Sequence, residues 1–210
     1  MPPPFVLASA SPARLRLLRD AGFDPEVVVS GVDETNHDGL ATADLVVALA
    51  ERKAAAVAAA RPDALVLGCD SMLDLDGEAI GKPASPAAAQ ALWQRMAGRT
   101  GTLQTGHCLI TSGRPVRGVA ATTIRFGLPT EEEVAAYVAT GEAQALAGAF
   151  SIDGRSAAFV DGIDGDPSAV IGLSLPLLRR LLAQAGIAIT DLWRPSPAGG
   201  GSPAHSDLMS

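Results

Sequence analysis

Residues 64–67, Ala-Leu-Val-Leu, form an unbroken apolar run, and three residues beyond it stands an acid, in Gly68-Cys69-Asp70-Ser71. Apolar side chains on successive residues of an extended strand put both of its faces into apolar surroundings, so the strand belongs inside a sheet covered on both sides. A carboxylate ending such a strand needs a partner, because an unpaired buried charge is strongly unfavourable. Asp76-Gly77 is a hairpin signal, and the returning segment brings Gly81-Lys82-Pro83 toward the acid. A two-residue turn pairs Leu75 with Glu78, and so Ser71 with Lys82. A three-residue loop with Gly77 in the left-handed bulge position pairs Asp70 with Lys82 instead. Either register sets the lysine in the Asp70 region, as a structural ion pair or as part of a metal- and phosphate-handling site.

Around this strand, helical and extended patterns alternate. Phe5 to Ala8 reads as a strand, Ser11-Pro12 as a cap followed by proline at the first helical position, and Gly22 as the stop of that helix. Strands are predicted at 26–30, 65–75, 78–81, 102–111, 116–126 and 157–160. Helices are predicted from Thr42 to Ala60, from Ser85-Pro86 to near Gly98, over about ten residues after the Thr130/Glu133 capping box, and from Ser174 to Gly186. The mixture of helices with a long hairpin predicts an α/β fold with a mixed twisted sheet and flanking helices. A second lobe, if present, is built around 100–145. The segment 194–210, rich in Pro, Gly, Ser and Ala, is expected to be a disordered tail, leaving 1–193 as the folded domain.

The chain has 210 residues and a formal net charge of −7. That balance argues against a protein that tracks a nucleic-acid polymer, which needs a broad basic face, but leaves room for a small polyanion bound by a few local cations. No apolar stretch is long enough to span a membrane, and Met1-Pro2-Pro3-Pro4 has neither a basic nor an apolar leader pattern, so neither a membrane span nor a secretory signal is expected. Cys69 and Cys108 read as reduced core thiols of a cytoplasmic protein. His37, His107 and His205 lack metal-ligand spacing, so no zinc site is expected.

Three further places carry chemistry. Ser9-Ala10-Ser11-Pro12-Ala13-Arg14 joins a strand to a helix N-terminus, where free N–H groups favour an anion and Arg14 opposes the dipole. Arg14 is either a solvated arginine or a ligand for an anion that relieves that opposition. Lys53 shares a helix face with Val46, Leu49, Val57 and Ala60, and either snorkels to the rim or points into a cleft. Asp33-Glu34 follows the second strand; it is a solvated acidic loop or a place for magnesium, which takes one or two carboxylates with phosphate oxygens and water. Asp153, Asp161, Asp164 and Asp166 read mainly as turn residues.

Taken together, Leu7-Ala8-Ser9-Ala10-Ser11-Pro12, Val32-Asp33-Glu34-Thr35, Glu51-Arg52-Lys53-Ala54, Gly68-Cys69-Asp70-Ser71, Gly81-Lys82-Pro83, Gly98-Arg99-Thr100, Thr105-Gly106, Gly148-Ala149-Phe150 and Val170-Ile171-Gly172-Leu173 resemble, in order and spacing, the Maf (septum-formation inhibitor) proteins. The resemblance covers about 5–187. It implies a fold similar to the inosine-triphosphate pyrophosphatases, with two lobes around a central cleft. It implies hydrolysis of nucleoside triphosphates to monophosphate and pyrophosphate with a divalent cation (magnesium or manganese), nucleotide-pool cleaning, a link to septation arrest, and a homodimer. By position it assigns the general base to Asp70, with Lys53 and Lys82 in the catalytic set. Ser9, Arg14, Lys53 and Lys82 bind phosphate, Glu34 and Asp70 hold the metal, and Ala13, Ser71 and Asp153 fall on positions that vary with substrate. Members that favour thymidine and uridine triphosphates tend to carry Arg, Thr and Gln at those three, and members that favour 7-methylguanosine triphosphate Trp, Gln and Glu; this chain matches neither set. Arg155-Ser156-Ala157-Ala158 also replaces a Gly-rich continuation. Two rival functions are a house-cleaning pyrophosphatase for deaminated purines and a non-catalytic nucleotide-binding regulator of septation.

Overall fold

Helices and strands alternate along the chain, and the strands assemble into one mixed sheet. The structure, a computed structural model, describes residues 3–34 and 39–194. The strands are β1 (Phe5–Leu7), β2 (Glu26–Val27), β3 (Leu65–Leu75), β4 (Glu78–Ile80), β5 (Thr100–Thr111), β6 (Arg114–Phe126) and β7 (Val160–Asp164). They run in the order β2-β1-β3-β5-β6-β7, with β4 also paired to β3. β1 is parallel to both its neighbours, and the remaining pairs are antiparallel. The helices are α1 (Pro12–Asp20), α2 (Thr42–Ala58), α3 (Pro86–Met96), α4 (Glu131–Ala139), α5 (Pro167–Ile171) and α6 (Leu175–Gln184). None is long and apolar enough to cross a membrane among the described residues.

Local chemistry starts most of these helices. The side chains of Ser11, Ser85, Asp166 and Ser174 each accept a backbone N–H of the first turn, with proline at the first or second helical position. Thr130 and Glu133 close the expected capping box on α4.

Several assignments differ from expectation. β2 stops at Val27 because β1 offers it only Val6 and Leu7 as partners. The stretch predicted as a strand at 157–160 is instead a 3-10 turn over Arg155–Phe159, held where the buried Ser156 hydroxyl accepts the Ser151 N–H at 2.9 Å, and the strand begins at Val160. The β5–β6 turn is only Ser112-Gly113, both at positive φ, so Arg114 and Pro115 join β6. Pro115 lies where β6 has no strand on its far side among the described residues, so its missing N–H interrupts no ladder there. α5 was not anticipated; five residues are too few for a helical period to register. The tail at 195–210 lies outside the described residues.

The apolar core follows the alternation of β3. Leu65, Leu67 and Cys69 pack with α1 and α6, whereas Leu73 and Leu75 join α3, α4 and Phe150. The second cluster therefore starts before Thr100 and runs past Ala145, and one continuous sheet serves both. Val66 and Met72 face α2 on the opposite side. Asp70 and Ser71 stand between the two clusters. β1 leaves β3 after Leu67 and β4 joins at Leu73, so the edge from Gly68 to Met72 has no strand beside it among the described residues.

Candidate active site

Consecutive residues of β3 serve opposite faces of the sheet at this open edge, Asp70 toward α2 and Ser71 toward α1. The α2 side depends on two glycines. A Cβ at Gly68 would come within 2.2 Å of the Ala50 carbonyl oxygen, and one at Gly106, the cross-strand partner of Asp70, within 2.3 Å of the Val46 carbonyl. α2 thus lies directly on the sheet. That approach drops Lys53 onto Asp70, with Nζ 2.5 Å from Oδ1, while Glu34 Oε1 reaches the same ammonium at 2.9 Å. Lys53 is 6% exposed and Asp70 5%. Lys53 therefore does not snorkel; it points inward between two carboxylates.

On the other face, Arg14 is buried, and the expected quarrel with the α1 dipole is settled by local acceptors. Nε donates to the Gly172 carbonyl at 2.7 Å, Nη1 to Ser9 Oγ at 3.1 Å and Nη2 to Ser71 Oγ at 3.2 Å. Ser71 Oγ lies 2.9 Å from Thr105 Oγ1, which donates to the Ala169 carbonyl at 2.9 Å. His107 accepts the Ser174 N–H on Nε2 at 2.9 Å, so its proton is on Nδ1, which donates to the Thr105 carbonyl at 3.0 Å. Burial pushes His107 down to about 4, so it is neutral at pH 7. Burial likewise pushes Cys69 and Cys108 up to about 12, and both remain thiols in the core.

The structure thus forms two groups at the open edge, Glu34, Lys53 and Asp70 on one face of the sheet and Ser9, Arg14 and Ser71 on the other, joined through the adjacent residues Asp70 and Ser71 of β3. It does not pair Lys82 with Asp70. The two-residue turn occurs, with Leu75 opposite Glu78, but pairing stops at Ile80. The Gly81 carbonyl is taken by the Gly148 N–H at 3.0 Å, which ends the strand. Lys82 is exposed, beside a cavity that it lines with Ile80, Pro83, Leu92 and Arg95. Asp153 is tied by an ion pair to Arg16, on the same helix as Ala13. Thr35, His37 and His205 lie outside the described residues. Among the described residues, no group of three or more His, Cys, Asp or Glu gathers around a metal position; Glu34 and Asp70 converge as a pair.

Sequence reasoning missed the service of Gly68 and Gly106 as the seat of α2, the Gly172 carbonyl, and the Thr105–His107 pair. Thr105 and His107 stand opposite Ser71 and Cys69 across β3 and β5, a juxtaposition that only the strand register reveals.

Residues 4–185 match a family model described as Maf-like protein. A protein of Streptomyces coelicolor called nucleoside triphosphate pyrophosphatase is 62% identical over 91% of this chain and 95% of its own length. One of the same name from Streptomyces avermitilis is 60% identical over 90% and 94%. Another from Mycobacterium sp. (strain JLS) is 52% identical over 90% and 97%.

Proposed function

Because the chain belongs to the Maf-like proteins and its relatives are called nucleoside triphosphate pyrophosphatase, we propose that it hydrolyses nucleoside triphosphates to nucleoside monophosphate and pyrophosphate. The observation that carries the reading is the buried Asp70 carboxylate, held by Lys53 at an open strand edge with Arg14 directly across the sheet.

In this mechanism a water oxygen forms a bond to the α-phosphorus, the bond from that phosphorus to the bridging oxygen breaks, and pyrophosphate leaves with the electron pair. Asp70 accepts the proton of the attacking water. Lys53 keeps the carboxylate in place. Arg14, with Ser9, and Lys82 from the β4–α3 connection bind the phosphate oxygens and offset the charge that develops on them. Asp70 and Glu34 also suit a hard divalent cation, magnesium or manganese, since two carboxylates already converge on one cationic centre. When bound, that ion would neutralise phosphate charge and polarise the phosphorus–oxygen bonds. Ala13, Ser71 and Asp153 are the residues proposed to set base preference; the Arg16–Asp153 pair and the Arg14–Ser71 bond link both partners to α1.

The test is a pyrophosphate-release screen over normal and modified nucleoside triphosphates with magnesium and with manganese. Asp70→Asn is expected to lower kcat by at least about 100-fold with little change in KM; unchanged turnover removes Asp70 from the role of base. Lys82→Ala is expected to raise KM for triphosphate, and equal affinity of that variant and the parent would refute its contact. Nucleotide binding without pyrophosphate release would favour the non-catalytic reading.

A further inference from the structure

The hydrogen bonds behind Arg14 admit only one direction of donation. The Ala169 carbonyl can only accept, so the single Thr105 hydroxyl proton goes to it. Thr105 Oγ1 must then accept from Ser71, and Ser71 Oγ, its own proton committed, must accept from Arg14 Nη2. The order is Arg14 to Ser71 to Thr105 to the main chain of α5. Three of the five guanidinium N–H groups are used by Gly172, Ser9 and Ser71, leaving two, one on each terminal nitrogen. The far end of the chain is anchored as well. Thr105 is fully buried, and its carbonyl is held by His107, whose tautomer is set by the Ser174 N–H at the start of α6.

We infer that Thr105 is a positioning residue for phosphate binding: by taking the Ser71 proton and passing its own to Ala169, it turns a Ser71 lone pair onto Arg14 and leaves the guanidinium with a fixed pair of N–H groups for an oxyanion. This rests on the reading of Arg14 as a phosphate ligand. Without the Thr105 hydroxyl, Ser71 loses its acceptor and its proton is free to turn toward the guanidinium, where it repels rather than supports it.

Binding of inorganic tripolyphosphate, measured by calorimetry, tests this without depending on catalysis. Thr105→Val is expected to weaken binding about tenfold, and Thr105→Ser, which keeps the hydroxyl, to restore it. In an Arg14→Ala background, already weakened, Thr105→Val is expected to add nothing, because its effect runs through the guanidinium. Equal loss from Thr105→Val in both backgrounds, or no loss with Arg14 present, overturns the inference and leaves Arg14 as the ligand. Arg14→Ala binding as tightly as the parent instead overturns the reading of Arg14 itself. Should Thr105→Val fail to fold, Ser71→Ala breaks the same chain one link earlier and is held to the same outcomes. In the nucleotide assay the Thr105→Val loss is expected mainly in KM, with kcat falling less.

Discussion

Lys53 and Asp70 carry opposite charges at 6% and 5% exposure, and neither is tenable there alone. Removing one leaves the other buried and uncompensated, so Lys53→Met is expected to cost about 3–5 kcal/mol in urea unfolding. Lys53→Met with Asp70→Leu should recover most of that loss, because two apolar groups no longer demand solvation; a double variant no better than the single one would show that the cost lies in packing. His107 supplies the pH dependence at this scale. Its folded value of about 4 lies below the ordinary 6.5, so between the two the unfolded chain binds the extra proton. The stability linked to neutral His107 is complete above pH 6.5, falls as pH drops toward 4, and does not return below it. The total is about 3 kcal/mol, at up to about 1.4 kcal/mol per pH unit. Thermal unfolding from pH 7 to pH 4 should show this limb, and His107→Gln should flatten it.

At the scale of elements, the seat of α2 decides whether the acid and the ammonium meet. A Cβ at Gly106 would overlap main-chain atoms of Val46, which cannot move without shifting the helix. Gly106→Ala is therefore expected to destabilise by about 1–3 kcal/mol and to lower pyrophosphate release by separating Lys53 from Asp70. Gly118→Ala, whose Cβ meets only the end of Leu177 at 3.0 Å, should change both little. A Gly106→Ala enzyme with normal activity would show that the helix can retreat without disturbing the pair. Helix starts were legible because a cap and a proline are neighbours in sequence, as Ser11-Pro12 and Ser85-Pro86 show. The strand predicted at 157–160 was misplaced because Ala157-Ala158-Phe159 is apolar in either conformation, and the Ser156–Ser151 bond that selects the turn joins residues with no local pattern.

For the whole molecule, the continuity of β3, β5 and β6 through both apolar clusters has a thermodynamic consequence. In a Trp193→Phe background Trp93 fluorescence reports the α3–α4 cluster, whereas far-UV circular dichroism reports every element. If the shared strands couple the clusters, both signals should follow one urea transition; an earlier Trp93 transition would show a cluster that melts separately. The sequence by itself determined the α/β class, the capped helix starts, the hairpin turn at Asp76-Gly77, and the family, since these are written in neighbouring residues or in motifs of fixed spacing. It also named Arg14, Lys53 and Asp70 as anomalies, because a charge in an apolar or dipole-opposed setting is visible before the chain folds. Only the tertiary structure decided how they resolve: Lys53 inward, Arg14 onto Ser9, Ser71 and Gly172, and Lys82 away from strand pairing with Asp70. Those outcomes depend on strand register and on how closely a helix approaches a sheet, and both are set by contacts between residues far apart in the chain.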